Sequence, residues 1–442
     1  MLVYLRLDSL PSLFAFITLL SPQTDPATAK DPVEAADSVE DTGEGSKSTP
    51  NPVTSISSRK QKPLEVHGLR LIELTDRTSS VMQVTEDLSE DLYSQRDPVI
   101  NTFRTFSSLS PMSNNVAVSG RVAVVPESSY AETLTSHAAD TASEFALIPW
   151  SEYGSLSDFD QPTLSLGGDR FKGNAPHLEF IHKTLHKAEK VCNAGVFIDN
   201  GFGGFGPRPS QPGGLTRSKS GVSLHSQHHR TPALATYPTI TDRTHHIFLP
   251  FIGGADDRVA LRLVLQLARN ANVTATVVHL KFTHSNTEND EDEDATLLST
   301  LRDSLSADVA SRITFTESNL TEGKNSNSLA ETVLGLAKVT VGQKRGGAGD
   351  VVVVGRRHVG AGDKEIGGAT SATAASSRVD VSAGSSSANG GLVTLGKTVG
   401  VVAEGLVGAL STAAGASTGA SGKGEKVVVN ASVLVVQAGG RK

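Results

Sequence analysis

Short apolar runs alternate along the chain with longer segments in which apolar residues recur every three or four positions. The clearest case begins at residues 247–252, a continuous apolar run typical of a strand covered on both faces. Two glycines follow and predict a turn, and Asp256 is a candidate cap for a helix over 256–269. A second apolar run, 273–282, predicts the next strand. Strand, turn, helix and strand together predict a βαβ unit and therefore a parallel sheet.

The same alternation predicts five strands and four helices in each half of the chain. In the first half the predicted strands are 1–5, 64–74, 116–125, 145–150 and 194–198, and the helices are 10–20, 97–109, 130–142 and 176–190. In the second half the predicted strands are 247–252, 273–282, 313–317, 350–354 and 431–437, and the helices are 256–269, 295–312, 328–341 and 396–410.

This pattern predicts an α/β fold of two tandem domains, each a five-stranded, mainly parallel sheet with helices on both faces. Segments rich in Pro, Ser, Gly or acidic residues cannot bury a core and are interpreted as insertions or linkers. The predicted parts are a first domain (1–200) with a disordered insertion (22–62), a linker (201–244), and a second domain (245–438) with low-complexity insertions (359–391 and 411–426) and an acidic loop (288–294).

The composition of the chain disfavours several classes of function. The formal net charge is −7, with 40 basic and 47 acidic residues. The sequence contains no basic patch with interleaved aromatics, so nucleic acid is disfavoured as a partner. The single Cys192 excludes a disulfide framework and favours a reducing compartment. The apolar run 10–20 is too short to span a bilayer, which needs about 20 apolar residues, so we expect no transmembrane helix in this sequence.

Histidines are the first candidates for chemistry, and five of them lie in or beside the predicted linker. They are His225, His228, His229, His245 and His246. Neighbouring histidines can hold a metal, but a Gly/Ser/Pro segment without cysteine or paired carboxylates favours no metal site. The same five residues are candidate titrating groups of a pH sensor. Solvent-exposed histidines without a role remain the alternative.

Glycine-rich turns are the second candidates. Gly355, Arg356 and Arg357 follow a valine-rich strand, where a parallel sheet places nucleotide phosphates, so they are candidate phosphate-binding residues. A tight turn with two solvated arginines is the alternative. Residues 391–398 match the P-loop pattern G-x-x-x-x-G-K-T, but a low-complexity tract and not a strand precedes them, which favours a chance match. We find no catalytic constellation and predict that the protein is not an enzyme.

Four stretches resemble the cytosolic region of fungal K⁺/H⁺ antiporters, which are relatives of the plant cation/H⁺ exchangers. They are residues 63–82, 97–103, 145–154 and 248–269. The resemblance implies that both halves have universal-stress-protein-like (adenine-nucleotide α-hydrolase-like) folds. It also implies that ions are moved by an N-terminal membrane domain of about a dozen helices, which we do not find in this sequence.

The expected function is therefore that of a cytosolic regulatory region of a K⁺/H⁺ antiporter, either truncated or detached from its transport domain. The resemblance implies that the membrane transport domain is its partner, at the cytosolic face of a membrane, with a homodimer as a further candidate. By itself the chain is expected to be soluble. Alternatives are a stand-alone, soluble nucleotide-binding stress protein and an adenylyl-transferring enzyme, although the latter lacks a placed phosphate loop and a catalytic partner.

The sequence departs from the family in the glycine pattern that is used for cofactor binding. Universal stress proteins often bind ATP through G-x-x-G, a nine-residue gap and a final glycine with Ser or Thr, after the fourth strand. Here Gly355 follows that strand, but the pattern needs a glycine at position 358 and the next glycine is Gly360, two positions late. The low-complexity insertion then breaks the remaining spacing. We expect no cofactor, with ATP or another adenine nucleotide as the alternative.

Overall fold

The computed structural model of the chain describes residues 1–21, 63–75, 94, 96–109, 116–151, 156, 175–204, 242–282, 288–320, 326–343, 348–359, 365–366, 394–414 and 431–440. Several predicted features therefore lie outside the described residues. They are the insertion 22–62, most of the linker 201–244 with its three histidines, and most of the low-complexity segments 359–391 and 411–426.

Strands and helices alternate along the described chain, as the apolar pattern predicted. The strands are β1 (Leu2–Tyr4), β2 (Leu64–Glu73), β3 (Val116–Val125), β4 (Phe145–Pro149), β5 (Asn193–Ile198), β6 (His245–Phe251), β7 (Val273–Phe282), β8 (Ile313–Leu320), β9 (Val351–Gly355), β10 (His358–Val359), β11 (Glu365–Ile366) and β12 (Ser432–Gln437). The α-helices are α1 (Leu10–Leu20), α2 (Pro98–Leu109), α3 (Tyr130–Asp140), α4 (Ala175–Ala188), α5 (Ala255–Leu267), α6 (Glu288–Asp303), α7 (Ala307–Arg312), α8 (Ser326–Thr340), α9 (Leu395–Val399) and α10 (Val401–Ala414).

Ten of the described strands form one sheet, in the order β3-β2-β1-β4-β5-β12-β9-β6-β7-β8. Within each half all pairs are parallel, and each half has the strand order 3-2-1-4-5 when its own strands are numbered from one. The halves meet where β5 pairs antiparallel with β12, with Phe197 opposite Leu434. The predicted α/β fold with a mostly parallel sheet is confirmed, whereas the domain boundaries remain a prediction.

Two apolar layers cover the two faces of this sheet, and both extend across the halves. One contains Tyr130 of α3, Phe180 of α4, Val333 of α8 and Leu406 of α10. The other contains helix residues from α1, α2, α5 and α7, including the fully buried Phe103 and Leu261. Burial of this area is the main favourable contribution to folding, and because the layers are shared, it links the two halves.

Three predicted boundaries were wrong, each for a local reason. The acidic stretch 288–294 is not a loop but the start of α6, because carboxylates are favoured near helix N-termini. The predicted helix 295–312 is divided into α6 and α7 by a break at 304–306. The predicted helix 396–410 is interrupted at Gly400, whose φ of 89° favours glycine and separates α9 from α10.

Helix length also bears on membrane insertion. Among the described residues, no helix is both long enough and apolar enough to cross a bilayer. The predicted strand-and-helix start of the chain is confirmed: α1 is buried in the second apolar layer, and β1 contributes Leu2 and Tyr4 to the first layer and Val3 to the second.

Candidate functional site

Each half of the sheet has one place where ligands commonly bind in such folds. In a sheet of order 3-2-1-4-5, the strand order reverses between the first and fourth strands, and their carboxyl ends border a crevice. We call these places the first switch point, between β1 and β4, and the second switch point, between β6 and β9. The residues Gly355, Arg356 and Arg357, predicted as phosphate ligands, lie at the second switch point.

At the second switch point, the carboxylate of Asp257 occupies the glycine turn. Its Oδ2 accepts hydrogen bonds from the backbone N–H groups of Ile252 at 2.8 Å and Gly253 at 2.9 Å. Its Oδ1 accepts from the N–H of Gly355 at 3.0 Å, and the side chain is fully buried. A Cβ on Gly355 would collide with this carboxylate, so the close approach requires glycine.

Asp256, also buried, holds the chain that follows β9 and β12. It accepts hydrogen bonds from the N–H of Arg357 at 3.0 Å and of Ala438 at 2.8 Å. The Arg357 guanidinium pairs with Asp256 at 3.3 Å and with Glu189, at the end of α4, at 2.7 Å. Burial acts to lower the pKa of Arg357, but Glu189 and Asp256 together raise it, because each stabilises the charged form of the guanidinium. Arg357 therefore joins both halves.

Arg356 is held by a different set of partners. Its Nε donates to the carbonyl of Thr398 at 2.7 Å, and its Nη2 donates to that of Lys397 at 3.0 Å. Its Nη1 donates to Gln437 Oε1 at 2.5 Å, while Gln437 Nε2 donates to the carbonyl of Leu185. Arg356 thus binds the carbonyl end of the short helix α9 and the end of β12.

These contacts show what the predicted phosphate ligands do in this structure. The backbone N–H groups that would receive a phosphate donate to Asp256 and Asp257, and both arginines form internal hydrogen bonds. The expectation of no cofactor and its alternative, ATP or another adenine nucleotide, are both untested and stay predictions. The cap prediction for Asp256 was wrong, since α5 begins at Ala255 with Gly254 as its N-cap. Gly254 has a φ of 93°, which an aspartate rarely adopts, and Asp256 lies inside the helix.

The first switch point is built around a buried arginine that the sequence reasoning missed. The side chain of Arg6, which follows β1, is only 3% exposed. Its Nε donates to Asp8 at 3.1 Å, its Nη1 to the carbonyl of Leu156 at 2.9 Å and its Nη2 to Ser151 Oγ at 3.2 Å. Arg6 and Ser151 each directly follow a predicted strand, but only the structure shows that these two strands are neighbours.

His177, at the start of α4, completes this cluster. Its Nε2 accepts the backbone N–H of Ser151 at 3.2 Å, so the neutral ring carries its proton on Nδ1. The ring packs edge-to-face on Trp150 at a centroid distance of 5.1 Å. Burial lowers the pKa of His177 to about 3, and the charge of Arg6 acts in the same direction. The first switch point thus combines a buried cation with a neutral histidine.

The other predicted candidates are dispersed. His245 Nδ1 lies 2.7 Å from the carbonyl oxygen of Gly349, and burial lowers the pKa of His245. His246 contacts Thr274 and Thr276 on the neighbouring strand. The remaining linker histidines, His225, His228 and His229, lie outside the described residues.

A metal site and a P-loop were the remaining candidates. The described part of the chain contains no group of three or more His, Cys, Asp or Glu residues arranged to hold a metal ion. Of the P-loop pattern, the described portion starts at Thr394, which caps the five-residue helix α9 by accepting from the N–H of Lys397. Residues 391–393 lie outside the described residues.

Comparison with known proteins identifies the relatives of this chain. Residues 66–202 match the family described as "Plant cation/H(+) antiporter domain". From Arabidopsis thaliana, cation/H(+) antiporter 15 is 26% identical over 241 residues, and cation/H(+) antiporter 23, chloroplastic, is 23% identical over 231. These alignments cover 53% and 50% of this chain but only 23% and 22% of those proteins. The chain thus spans less than a quarter of the length of these relatives.

Two solved structures are also similar to the chain, with low TM-scores and low sequence identity. A universal stress protein from Archaeoglobus fulgidus shares 10% identity at a TM-score of 0.34, over 85% of this chain and 86% of that one. A protein of unknown function from Pseudomonas aeruginosa shares 10% identity at a TM-score of 0.30, over 84% and 81%. The fold class rests on the strand order described above.

The fold and the sequence relationships together define the class of protein. It is an α/β protein with a mostly parallel sheet and two switch points filled by its own side chains. Part of its sequence is similar to cation/H⁺ antiporters, over residues 66–202 in the family match and over about half of the chain in both relatives.

Proposed function

We propose that this chain is a cytosolic regulatory region of a monovalent cation/H⁺ antiporter, and that the cation is K⁺. The carrying observation is the match of residues 66–202 to the plant cation/H⁺ antiporter domain. That segment spans α2, α3 and α4 together with the strands from β2 to β5, so it includes most of the first half of the sheet. The choice of cation is supported by the resemblance of four stretches to fungal K⁺/H⁺ antiporters, three of which fall largely within this segment.

In this proposal, a separate membrane domain moves the ions and the α/β region biases its activity. Such regulation requires a region whose contacts with the transport domain differ between two states. The connection between the halves is suited to that role, because a conformational change in one half can be transmitted to the other half through direct contacts. Those contacts include the β5–β12 pairing, the ion pair of Arg357 with Glu189, and the hydrogen bond from Gly440 N–H to the carbonyl of Glu189 at 3.0 Å.

The proposal is tested in the antiporter that carries this region, reconstituted in vesicles that contain a pH-sensitive dye. Proton flux driven by a K⁺ gradient is measured against internal pH, with and without the region, and size-exclusion chromatography checks that both proteins are assembled. We expect transport in both, with the rate at a given internal pH changed about fivefold or more by the deletion, which corresponds to a coupling of about 1 kcal/mol.

The same vesicles separate the parts of the proposal. Identical rates and pH profiles with and without the region would reject a regulatory role. A flux driven equally by Na⁺ and K⁺ gradients would reject the choice of cation while leaving the regulatory role intact. A loss of assembly on deletion would indicate a structural role, and single substitutions at Glu189 or Arg357 would then replace the deletion.

A second candidate is a stand-alone nucleotide-binding protein, because the strand order 3-2-1-4-5 in both halves is shared with nucleotide-binding sheets. The carboxylate of Asp257 lies where a phosphate would be received at the second switch point. Titration of the purified chain with ATP by calorimetry tests this candidate. If phosphate and carboxylate compete for one place, Asp257→Asn should tighten ATP binding; no saturable binding by either protein would reject the candidate.

A further inference from the structure

A cavity of about 470 Å³ lies at the outer edge of the sheet, away from both switch points. It is lined by residues of β2, β3, α2 and the carboxyl-terminal end of α3. Its ionisable lining residues are His67, Arg104, Arg121 and His137. Two guanidinium groups and two imidazoles therefore face one space, and no carboxylate is among the described residues that line it.

The strand register brings part of this set together. His67 of β2 pairs with Ser119 of β3, and the His67 Nδ1 lies 2.7 Å from Ser119 Oγ. Arg121 is two residues beyond Ser119, so both side chains leave the same face of the sheet. Helix α3 covers that face with Tyr130 and Leu134, and it brings His137 to the cavity. Arg104 comes from α2, which packs on the opposite face of the sheet in the second apolar layer, so the cationic groups flank the sheet edge from both faces.

The sheet edge at the cavity is already occupied. The Gly120 carbonyl accepts a hydrogen bond from Arg104 Nη2 at 2.9 Å, and the Val122 N–H donates to Ser94 Oγ at 3.1 Å. These side chains use backbone groups that an added strand would need. A peptide strand is therefore disfavoured here, and a compact ligand that enters the cavity from the side fits better.

The basic side chains that line the cavity favour an anionic ligand. A guanidinium offers planar, paired donors that match the oxygens of a phosphate, and imidazoles can donate as well. Each arginine also has an interaction partner besides those named, so a ligand would share or exchange contacts. A cavity of this volume accommodates a small organic molecule with its phosphate group. We propose that this cavity binds a phosphate-bearing anion, held by Arg121, Arg104 and His137.

The surrounding charges make this binding sensitive to pH. Burial lowers the pKa of His137, and Arg121 and His67 act in the same direction, with Asp140 opposing them. Burial and the Met1 amine likewise lower the pKa of His67, with Glu65 opposing them. A bound anion would favour the protonated form of both rings. Binding therefore takes up protons, and the affinity increases as the pH falls.

The test is calorimetric titration of the full chain with two probes, inorganic phosphate and pyrophosphate, at pH 8, where we expect saturable binding. Sulfate keeps the same charge at pH 6 and pH 8, so it measures the pH dependence, and it should bind more tightly at pH 6 than at pH 8. Arg121 is exposed, so Arg121→Gln should leave the fold intact and weaken binding about tenfold, as for the loss of one charge-assisted hydrogen bond. His137→Gln should reduce the pH dependence of the affinity.

The matched control is Arg262→Gln, which makes the same chemical change on an exposed position of α5 in the other half. Equal weakening by Arg121→Gln and Arg262→Gln would overturn the proposal, since it would indicate only general attraction to charge. Absence of saturable binding by both probes would also overturn it. Vesicles containing a phosphoinositide, with and without competing inorganic phosphate, distinguish a lipid headgroup from a free phosphate compound.

Discussion

The two switch points have the same place in the same topology but opposite chemistry. The first contains a buried cation, Arg6, which binds Asp8, Ser151 and the carbonyl of Leu156. The second contains two buried carboxylates that accept backbone N–H groups from three separate segments. The strand order fixes where polar groups gather, whereas the individual side chains decide which charge the place can receive.

This difference bears on function. At the second switch point the anion is supplied by the protein itself, so the N–H groups that could hold a phosphate are already paired. At the first, the guanidinium is paired with a carboxylate and neutral oxygens. Both places therefore contribute to stability, and each can be broken separately.

The largest effect should come from Asp257→Ala. Three buried N–H donors would lose their acceptor, and each such loss is costly because no water reaches the group. We expect the free energy of unfolding to fall by about 3–5 kcal/mol, as when a buried charge network loses one member. Urea denaturation followed by circular dichroism measures this, with Asp303→Ala as the exposed control. A similar small effect for both would contradict the role given to Asp257.

The next effect should come from Arg6→Met at the first switch point. The substitution fills a comparable volume but leaves Asp8 and the carbonyl of Leu156 without their buried donor. We expect a loss of about 2–3 kcal/mol, somewhat below that for Asp257, because Asp8 remains partly exposed. Arg6→Lys keeps the charge without the planar fork and should recover part of the loss. Equal stability of Arg6→Met and the wild type would reject this account.

The pH dependence of stability sharpens the comparison, because His177 belongs to the first switch point. Its pKa is about 3 in the folded protein and about 6.5 when unfolded, so the unfolded chain binds the proton first. The contribution of the neutral His177 to the free energy of unfolding is fully present above pH 6.5, and it is lost as the pH falls from 6.5 towards 3. At pH 5 the loss should be about 2 kcal/mol.

Urea midpoints at pH 5.0 and 7.5 measure this loss. His177→Gln lowers stability at both values but should remove most of the difference between them. His186→Gln, an exposed position on the same helix, is the control and should keep the wild-type difference. If His177→Gln also kept that difference, the pH dependence would have to be assigned to other groups.

The elements of this fold were predictable, but their assembly was not. The apolar period located β6, α5 and β7 because strands and helices repeat differently, and glycines marked the turns. The antiparallel pairing of Val196 with Val435 could not be predicted from the apolar period. Both strands are continuous apolar runs, and neither contains a feature that identifies the neighbouring strand. A single sheet with shared apolar layers follows from that pairing.

The candidate site shows the same limit at the level of single residues. The carboxyl-end rule correctly located Gly355 and Arg357 at a switch point, but it could not reveal that Glu189, 168 residues away, pairs with Arg357. Arg6 was missed because one arginine after a strand carries no spacing pattern. The partners of a charged residue are set by tertiary packing, which local sequence does not encode.

The smallest effect concerns the link between the two regions. Arg357 and Glu189 are 24% and 42% exposed, so water screens their attraction. Their hydrogen bond is nevertheless the main reason that the pKa of Glu189 is lowered. A double-mutant cycle with Glu189→Gln and Arg357→Gln should give a coupling of about 0.5 kcal/mol, and added salt should reduce it.

The single variants should differ more than the coupling suggests. Arg357→Gln should cost more than Glu189→Gln, because it also removes the ion pair with the buried Asp256. Equal costs would indicate that Asp256 is satisfied by the N–H groups of Arg357 and Ala438 alone. In that case the second switch point would be stable without its arginine, and the shared apolar layers and the β5–β12 pairing would carry the connection between the halves.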